Sequence, residues 1–217
     1  MSKTTVILTA CVVAGLLLLA AALAVAAGQT TTVLSTDGAD VQEATFGDLV
    51  TDALCDKTGA TLAFVPAVSF KRGSIPAGPV TLVKVSALLQ NPDEAWAVGE
   101  LTGDQIKQAL ERSVSRAPVP SGAFLQVSGL SLTYSPNGGA AGRVKSVLVG
   151  GAPLNETKKY EVAMPLSLAK GGSGYFQIFD EGCIRVRGAD AIAGLVANYV
   201  AARGTVSYTG QGRVRQQ

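Results

Sequence analysis

From Glu100 to Gly129 the chain reads Glu-Leu-Thr-Gly-Asp-Gln-Ile-Lys-Gln-Ala-Leu-Glu-Arg-Ser-Val-Ser, then a proline-rich turn, then Phe-Leu-Gln-Val-Ser-Gly. Thr102 with Gln105 three residues later makes a capping box: the hydroxyl accepts a backbone N–H of the first helical turn and the amide reaches back. Behind it Ile106, Ala109, Leu110 and Val114 recur at helical spacing. Pro118 and Pro120 end the helix, so the apolar run after them reads as a new strand. The stretch therefore predicts a strand end, a capped helix, a loop and a strand, in that order. It has no nucleophile–base pair and no metal-ligand cluster, so what it specifies is architecture.

The chain around it has 217 residues and a mass of 22.1 kDa, room for one domain of ordinary size once the first 28 residues are set apart by composition. The expected division is a leader over 1–28, one domain over 29–210 and a flexible tail over 211–217. Its 18 Lys and Arg against 16 Asp and Glu leave no basic footprint for nucleic acid. The pair Arg213 and Arg215 reads as a frayed terminus. Histidine is absent. Dinuclear metal hydrolases usually take imidazole ligands, and imidazole is the commonest base near neutral pH, so a self-sufficient metallophosphatase is not expected from these residues. No metal site, no cofactor and no catalytic residue is assigned.

Val6 to Ala27 is a nearly unbroken apolar run behind a single cation, Lys3. Ala24-Val-Ala26 fits the small-x-small pattern of a signal peptidase site, yet the run is also long enough to cross a bilayer as an uncleaved anchor. Leu8-Thr-Ala-Cys11 has the letters of a lipoprotein box, but its longer apolar run follows the cysteine instead of preceding it. Each reading puts the domain outside the cytoplasm, secreted, periplasmic or membrane-anchored. There Cys55, in a predicted helix, and Cys183, in a predicted strand, could form a disulfide; two small buried apolar residues is the alternative.

Leu101-Thr-Gly-Asp-Gln-Ile-Lys-Gln-Ala-Leu-Glu and Gly122-Ala-Phe-Leu-Gln-Val-Ser-Gly together resemble the C-terminal domain of the 5′-nucleotidase and UDP-sugar hydrolase family. The helix Glu43 to Cys55, with Phe46, Leu49, Val50, Ala53 and Leu54 on one face, resembles the helix that opens that domain. On the same helix Asp48 and Asp52 are read as exposed acids of a solvated face. The resemblance runs over roughly residues 30 to 208 and implies an α+β fold with a mixed sheet and packed helices. The interleaving of strands and helices without regular βαβ alternation points the same way.

The resemblance also implies a nucleotide site, from which this chain departs. Where the family has an Asn-Gly-Gly-x-Arg loop, the chain reads Pro66-Ala-Val-Ser-Phe-Lys-Arg72, so Lys71 or Arg72 stands for the arginine; a solvent-facing pair is the other reading. Gln90-Asn-Pro-Asp-Glu94 lacks the first stacking ring, and Trp96 nearby reads as a core or rim residue of the strand Ala95 to Leu101. Pro165-Leu-Ser-Leu-Ala-Lys-Gly-Gly-Ser-Gly-Tyr175 resembles the family loop that carries the second ring and an aspartate, with Ser167 and Ser173 at those two positions. Gly171, Gly172, Ser173 and Tyr175 join Lys71 and Arg72 as candidate ligand-binding residues.

In the family a separate N-terminal domain holds the metals. The expectation is therefore an exported, stand-alone nucleotidase C-terminal-type domain, without catalytic power of its own, serving as a recognition or assembly module. Losing a stacking ring removes about 1–3 kcal/mol per base, so any nucleotide or sugar-nucleotide should bind weakly. The alternative is a recognition subunit that completes a split nucleotide hydrolase with a separate metallophosphatase chain.

Overall fold

Residues 26–137, 139 and 142–217 are described in the computed structural model, and their strands are numbered β1 to β14 in chain order. A central sheet runs in the order β12 (Ile184–Arg187), β6 (Trp96–Thr102), β11 (Lys159–Pro165), β3 (Leu62–Pro66), β7 (Leu125–Ser128). Only β11 and β3 pair in parallel, with Val162 opposite Leu62, so the sheet is mixed as expected. A second sheet has the order β13 (Thr205–Val206), β1 (Ala26–Thr30), β5 (Gly78–Thr81), and a third β10 (Ala152–Pro153), β9 (Val144–Val149), β8 (Leu130–Tyr134), β14 (Val214–Gln216). Two-residue strands β2 (Leu34–Ser35) and β4 (Ser74–Ile75) pair with each other. The helices are α1 (Thr45–Thr58), α2 (Leu82–Ala87), α3 (Gly103–Val114), α4 (Leu166–Ala169) and α5 (Ile192–Arg203). Among the described residues no helix is long and apolar enough to cross a membrane.

Strand periodicity divides the interior into two cores. Ala63 and Val65 of β3, Trp96 and Val98 of β6 and Ala163 of β11 face a cluster with α1, α2 and α5. Leu62 and Phe64, Ala97 and Leu101, and Val162 and Met164 face the other cluster, with α3 and the strands β8 and β9. The capping box forms as the sequence predicts: Thr102 Oγ1 accepts from Gln105 N (3.2 Å) and Gln105 Oε1 from Thr102 N (3.0 Å). Ile106, Ala109, Leu110 and Val114 are fully buried behind it. Between β7 and β8 the chain turns at Gly129, where φ is +80° and a side chain would run into the Thr61 carbonyl.

Three expectations need correction. The cysteines are both free thiols, because Cys55 packs on one core and Cys183 on the other, with the central sheet between them. The domain's first strand starts at Ala26, inside the segment set apart as leader; residues 1–25 lie outside the described region. The tail does not fray: Val214–Gln216 pairs in parallel with β8.

Two carboxylates hold that tail. Glu43, just before α1, accepts the backbone N–H groups of Gln211, Gly212, Arg213 and Val214. The Arg213 guanidinium makes a two-pronged pair with Asp52 (2.8 and 2.9 Å) and donates to the Val127 carbonyl (3.1 Å). Asp52 also accepts from Ser128 Oγ (2.6 Å) and Tyr208 Oη (3.0 Å). The helix face carrying Asp48 and Asp52 is therefore covered, not solvated. Asp48 is wholly buried, 3.6 Å from Arg213 Nε, and neither of its oxygens has a hydrogen-bond partner. Burial pushes its carboxyl up to about 8; the Arg213 charge pulls the other way without offsetting it, and Glu43 and Asp52 add repulsion.

Arg213→Ala strands Asp52 and Asp48 and should lower stability by about 3–5 kcal/mol in urea denaturation; Lys, without the planar fork, should recover only part of it. For Asp48 the folded state keeps a proton that the unfolded state releases near pH 4, so this group's contribution falls as pH rises from about 4 to about 8. Asp48→Asn should remove that fall. Denaturation midpoints should place the variant nearer wild type at about pH 5 and above it at about pH 8.

Candidate functional site

Because β3 and β11 run in parallel, their carboxyl ends lie together, and the antiparallel neighbours β6 and β7 begin at the same end. Five connections therefore gather there: 67–73 after β3, 88–95 before β6, 115–124 before β7, 166–179 after β11 and 188–191 after β12. The carboxyl ends of sheet strands are where open α/β sheets commonly bind ligands.

Backbone hydrogen bonds tie the connections to one another. Val68 N donates to the Gly122 carbonyl and Ala67 N to that of Phe124; Lys71 N donates to Leu88 and Gln90 N to Ser69. Leu166 N donates to the Ala95 carbonyl (2.9 Å), and Ser167 N to the Glu94 carboxylate (3.0 Å). Gln126, the glutamine of the Phe-Leu-Gln-Val-Ser-Gly strand, is fully buried: it accepts from Ala44 N (2.8 Å) and donates to the carbonyls of Ala39 and Gln42. Its role is to hold the chain entering α1.

The glycine loop keeps its shape by close packing. At Gly171, φ is +84° and a Cβ would lie 2.6 Å from the Phe176 Cα; at Gly172 a Cβ would lie 2.6 Å from the Ser167 carbonyl oxygen. Gly174 (φ +82°) lies under the Arg112 guanidinium, which donates to the Ser173 carbonyl (3.1 Å). Ser173 has φ +57°, the only positive value for a non-glycine among the described residues. That conformation favours asparagine and aspartate several-fold, which suits the aspartate that the resemblance implies there.

The candidate ligand residues fall into separate places. Tyr175 is completely buried, donates its hydroxyl to the Ala123 carbonyl (2.7 Å) and stacks on Phe179 (5.5 Å between centroids). Burial holds its phenol far above the usual range, so it is a core residue and not a ligand contact. Lys71 and Arg72 are exposed. Arg72 lies 3.7 Å from Asp40 with its side chain 83% exposed. The two line a cavity of about 110 Å³ with Thr36, Gly38, Ala39, Asp40, Ala67 and Phe70, in which no residue of the glycine loop takes part.

Trp96 is buried against the Gly188 backbone and serves as core, as the strand alternation predicts. Burial pushes the Cys55 thiol up to about 11, and Cys183 is raised in the same direction. Among the described residues no group of three or more His, Cys, Asp or Glu is placed to hold a metal, so the donor set for a metal-assisted hydrolysis is not assembled from them. Sequence reasoning missed Glu94 and Arg112, which pin the glycine loop from two sides, and the exposed Phe176 that follows it and Val68 on the connection after β3. Arg112 had a local signal, since it lies in the recognised helix; its partner lies 61 positions away.

The family model of the 5′-nucleotidase C-terminal domain matches residues 24–181. The chain belongs to that family. It is 30% identical over 149 residues to the trifunctional nucleotide phosphoesterase protein YfkN of Bacillus subtilis (strain 168), covering 64% of this chain and 10% of that protein. Snake venom 5′-nucleotidase of Naja atra is 30% identical over 145 residues, 63% of this chain and 27% of the relative. The solved 5′-nucleotidase precursor from Thermus thermophilus superposes with a TM-score of 0.82 at 30% identity, over 91% of this chain and 40% of that one. The chain thus spans a minor part of the length of the curated relatives it matches.

If the glycine loop is held by packing, Gly171→Ala should lower stability by about 1–3 kcal/mol through its positive φ and the Phe176 backbone. The thermal midpoint checks this, and the conservative-looking substitution should cost more than Ser173→Gly.

Proposed function

We propose that the protein is an exported recognition or assembly module that binds nucleotides weakly and does not hydrolyse them alone. The observation that carries this reading is that Lys71 and Arg72 line a cavity to which the glycine loop contributes no residue, together with Ser167 and Asn91–Asp93 standing where the resemblance implies two stacking rings. A base entering the loop end would meet hydroxyls and backbone, without an aromatic slot to displace its water. The domain lies outside the cytoplasm, carried there by the apolar run of residues 6–27 as signal or anchor. The venom origin of relatives of the same family supports this placement. Calorimetric titration with AMP and with UDP-glucose should give no saturable binding tighter than about 1 mM. A micromolar dissociation constant for either would overturn the reading.

A second reading has one observation in its favour. Val68 and Val119, 55% and 52% exposed, stand on two connections of the loop end, a margin suited to contact with another protein. In this reading a separately encoded metallophosphatase chain docks there and receives the nucleotide from this domain. Mixing the two purified chains should then raise hydrolysis of a nucleoside monophosphate above that of the metallophosphatase alone, and Val68→Asp should abolish the gain.

A further inference from the structure

β12 is the outermost strand of the central sheet, paired with β6 and with no strand beyond it among the described residues. An edge of this kind presents backbone N–H and C=O groups to any extended segment that approaches. Arg185, Val186 and Arg187 are all exposed, Val186 by 51%. Ahead of β12 the chain leaves the sheet through the turn Glu181–Cys183, so the pairing with β6 begins only at Gly99. Beside that point a cavity of about 440 Å³ opens, lined by Glu100, Thr102, Lys159, Arg185 and Phe176, whose ring is 65% exposed.

Charge decides which segment fits. Glu100 is shared by Lys159 (2.9 Å) and Arg185 (3.0 Å), and Glu181 by Lys170 (3.2 Å) and Arg187 (3.1 Å), so four cations rest on two carboxylates. The other acids nearby are engaged or set back. Asp180 accepts from Gly182 N (2.8 Å), Asp190 pairs with Lys57 (2.8 Å), and Glu161, opposite Glu100 in the ladder, is on β11, two strands in from the edge. The side chains of Arg185 and Arg187 stay half exposed in their pairs. A second copy paired antiparallel about Val186 would set arginine against arginine on both sides, a destabilising cross-strand contact. The two arginines, with the bulge between Ile184 and Val186, thus guard the edge against its own kind. A segment with carboxylates at alternate positions meets attraction there instead.

We propose that the β12 edge is a docking site for an extended acidic segment of another protein, which adds a strand beside Arg185–Arg187 and lays an apolar side chain against Phe176 in the adjoining cavity. Main-chain pairing supplies the affinity of such a contact, and the side chains along the edge supply its selectivity. The inference stands apart from nucleotide binding, since none of Lys71, Arg72, Gly171, Gly172, Ser173 and Tyr175 lines this cavity.

Fluorescence anisotropy of the full chain with a labelled peptide of sequence Thr-Val-Glu-Val-Glu-Phe-Thr tests this. The dissociation constant should be about 100 μM or tighter. N-methylation of one alternate set of the peptide's backbone nitrogens should weaken binding about tenfold and of the other set hardly at all, because only every second N–H of an added strand points at the edge. The protein carrying both Arg185→Glu and Arg187→Glu should prefer the peptide with lysines in place of its glutamates, a gain that misfolding cannot produce. A constant weaker than about 100 μM, or equal binding of the two N-methylated forms, overturns the docked strand. Displacement of the peptide by duplex DNA of equal charge also overturns it, since the surface would then answer to any polyanion.

Discussion

The Arg213 clasp is the interaction on which the arrangement of layers depends. The Arg213 guanidinium joins the carboxylate of Asp52 on α1 and the carbonyl of Val127 on β7, while the same residue's backbone donates to the Glu43 carboxylate and accepts from Leu132 of the third sheet. α1 lies in one core and β8 in the other, so the clasp ties elements from the two sides of the central sheet. A buried charge is costly unless its hydrogen bonds are satisfied, and Asp52 meets that condition with four donors. Asp48 does not, and its raised proton affinity is the consequence. The C-terminal strap is thereby as integral to the domain as its strands.

At the loop end close packing likewise governs conformation. Gly171 and Gly172 are required by contacts that the loop makes with its own backbone, Gly174 by Arg112, and Tyr175 by its place under Ala123. None of these demands involves a ligand. A loop of this shape can persist after its ligand-touching side chains have changed, since its stability is independent of them. The family motif in this chain therefore reports the scaffold, and activity must be argued from side chains that project from it.

Much of the fold was legible in local signals. Periodicity identified the buried faces of α1 and α3, and the Thr102–Gln105 pair marked the start of α3 to the residue. Trp96, read as a core or rim residue of its strand, is buried in the core. The candidate site was less legible. Tyr175 followed a motif into a list of ligand contacts, though an aromatic residue after a tight glycine turn is as readily the plug of a core. Asp48 and Asp52 were assigned to solvent because charged side chains on a helix face are normally exposed. Nothing within a few residues of either signals the arginine that covers them.

By itself, then, the sequence determined where helices begin and end, which faces are apolar, that the loop retains its glycines, and that the ring positions implied by the family hold Ser167 and Asn91–Asp93 instead. These are short-range properties, set by backbone sterics, capping and hydrophobic periodicity over one or two turns. Only the tertiary structure decided the strand order β12-β6-β11-β3-β7, the separation of Cys55 from Cys183, the placing of Arg72 beside Asp40 and the burial of Asp48. Each of these depends on segments far apart in the chain, 161 positions in the case of Arg213 and Asp52. Burial and charge pairing at such separations are properties of the closed fold, and no local pattern encodes them.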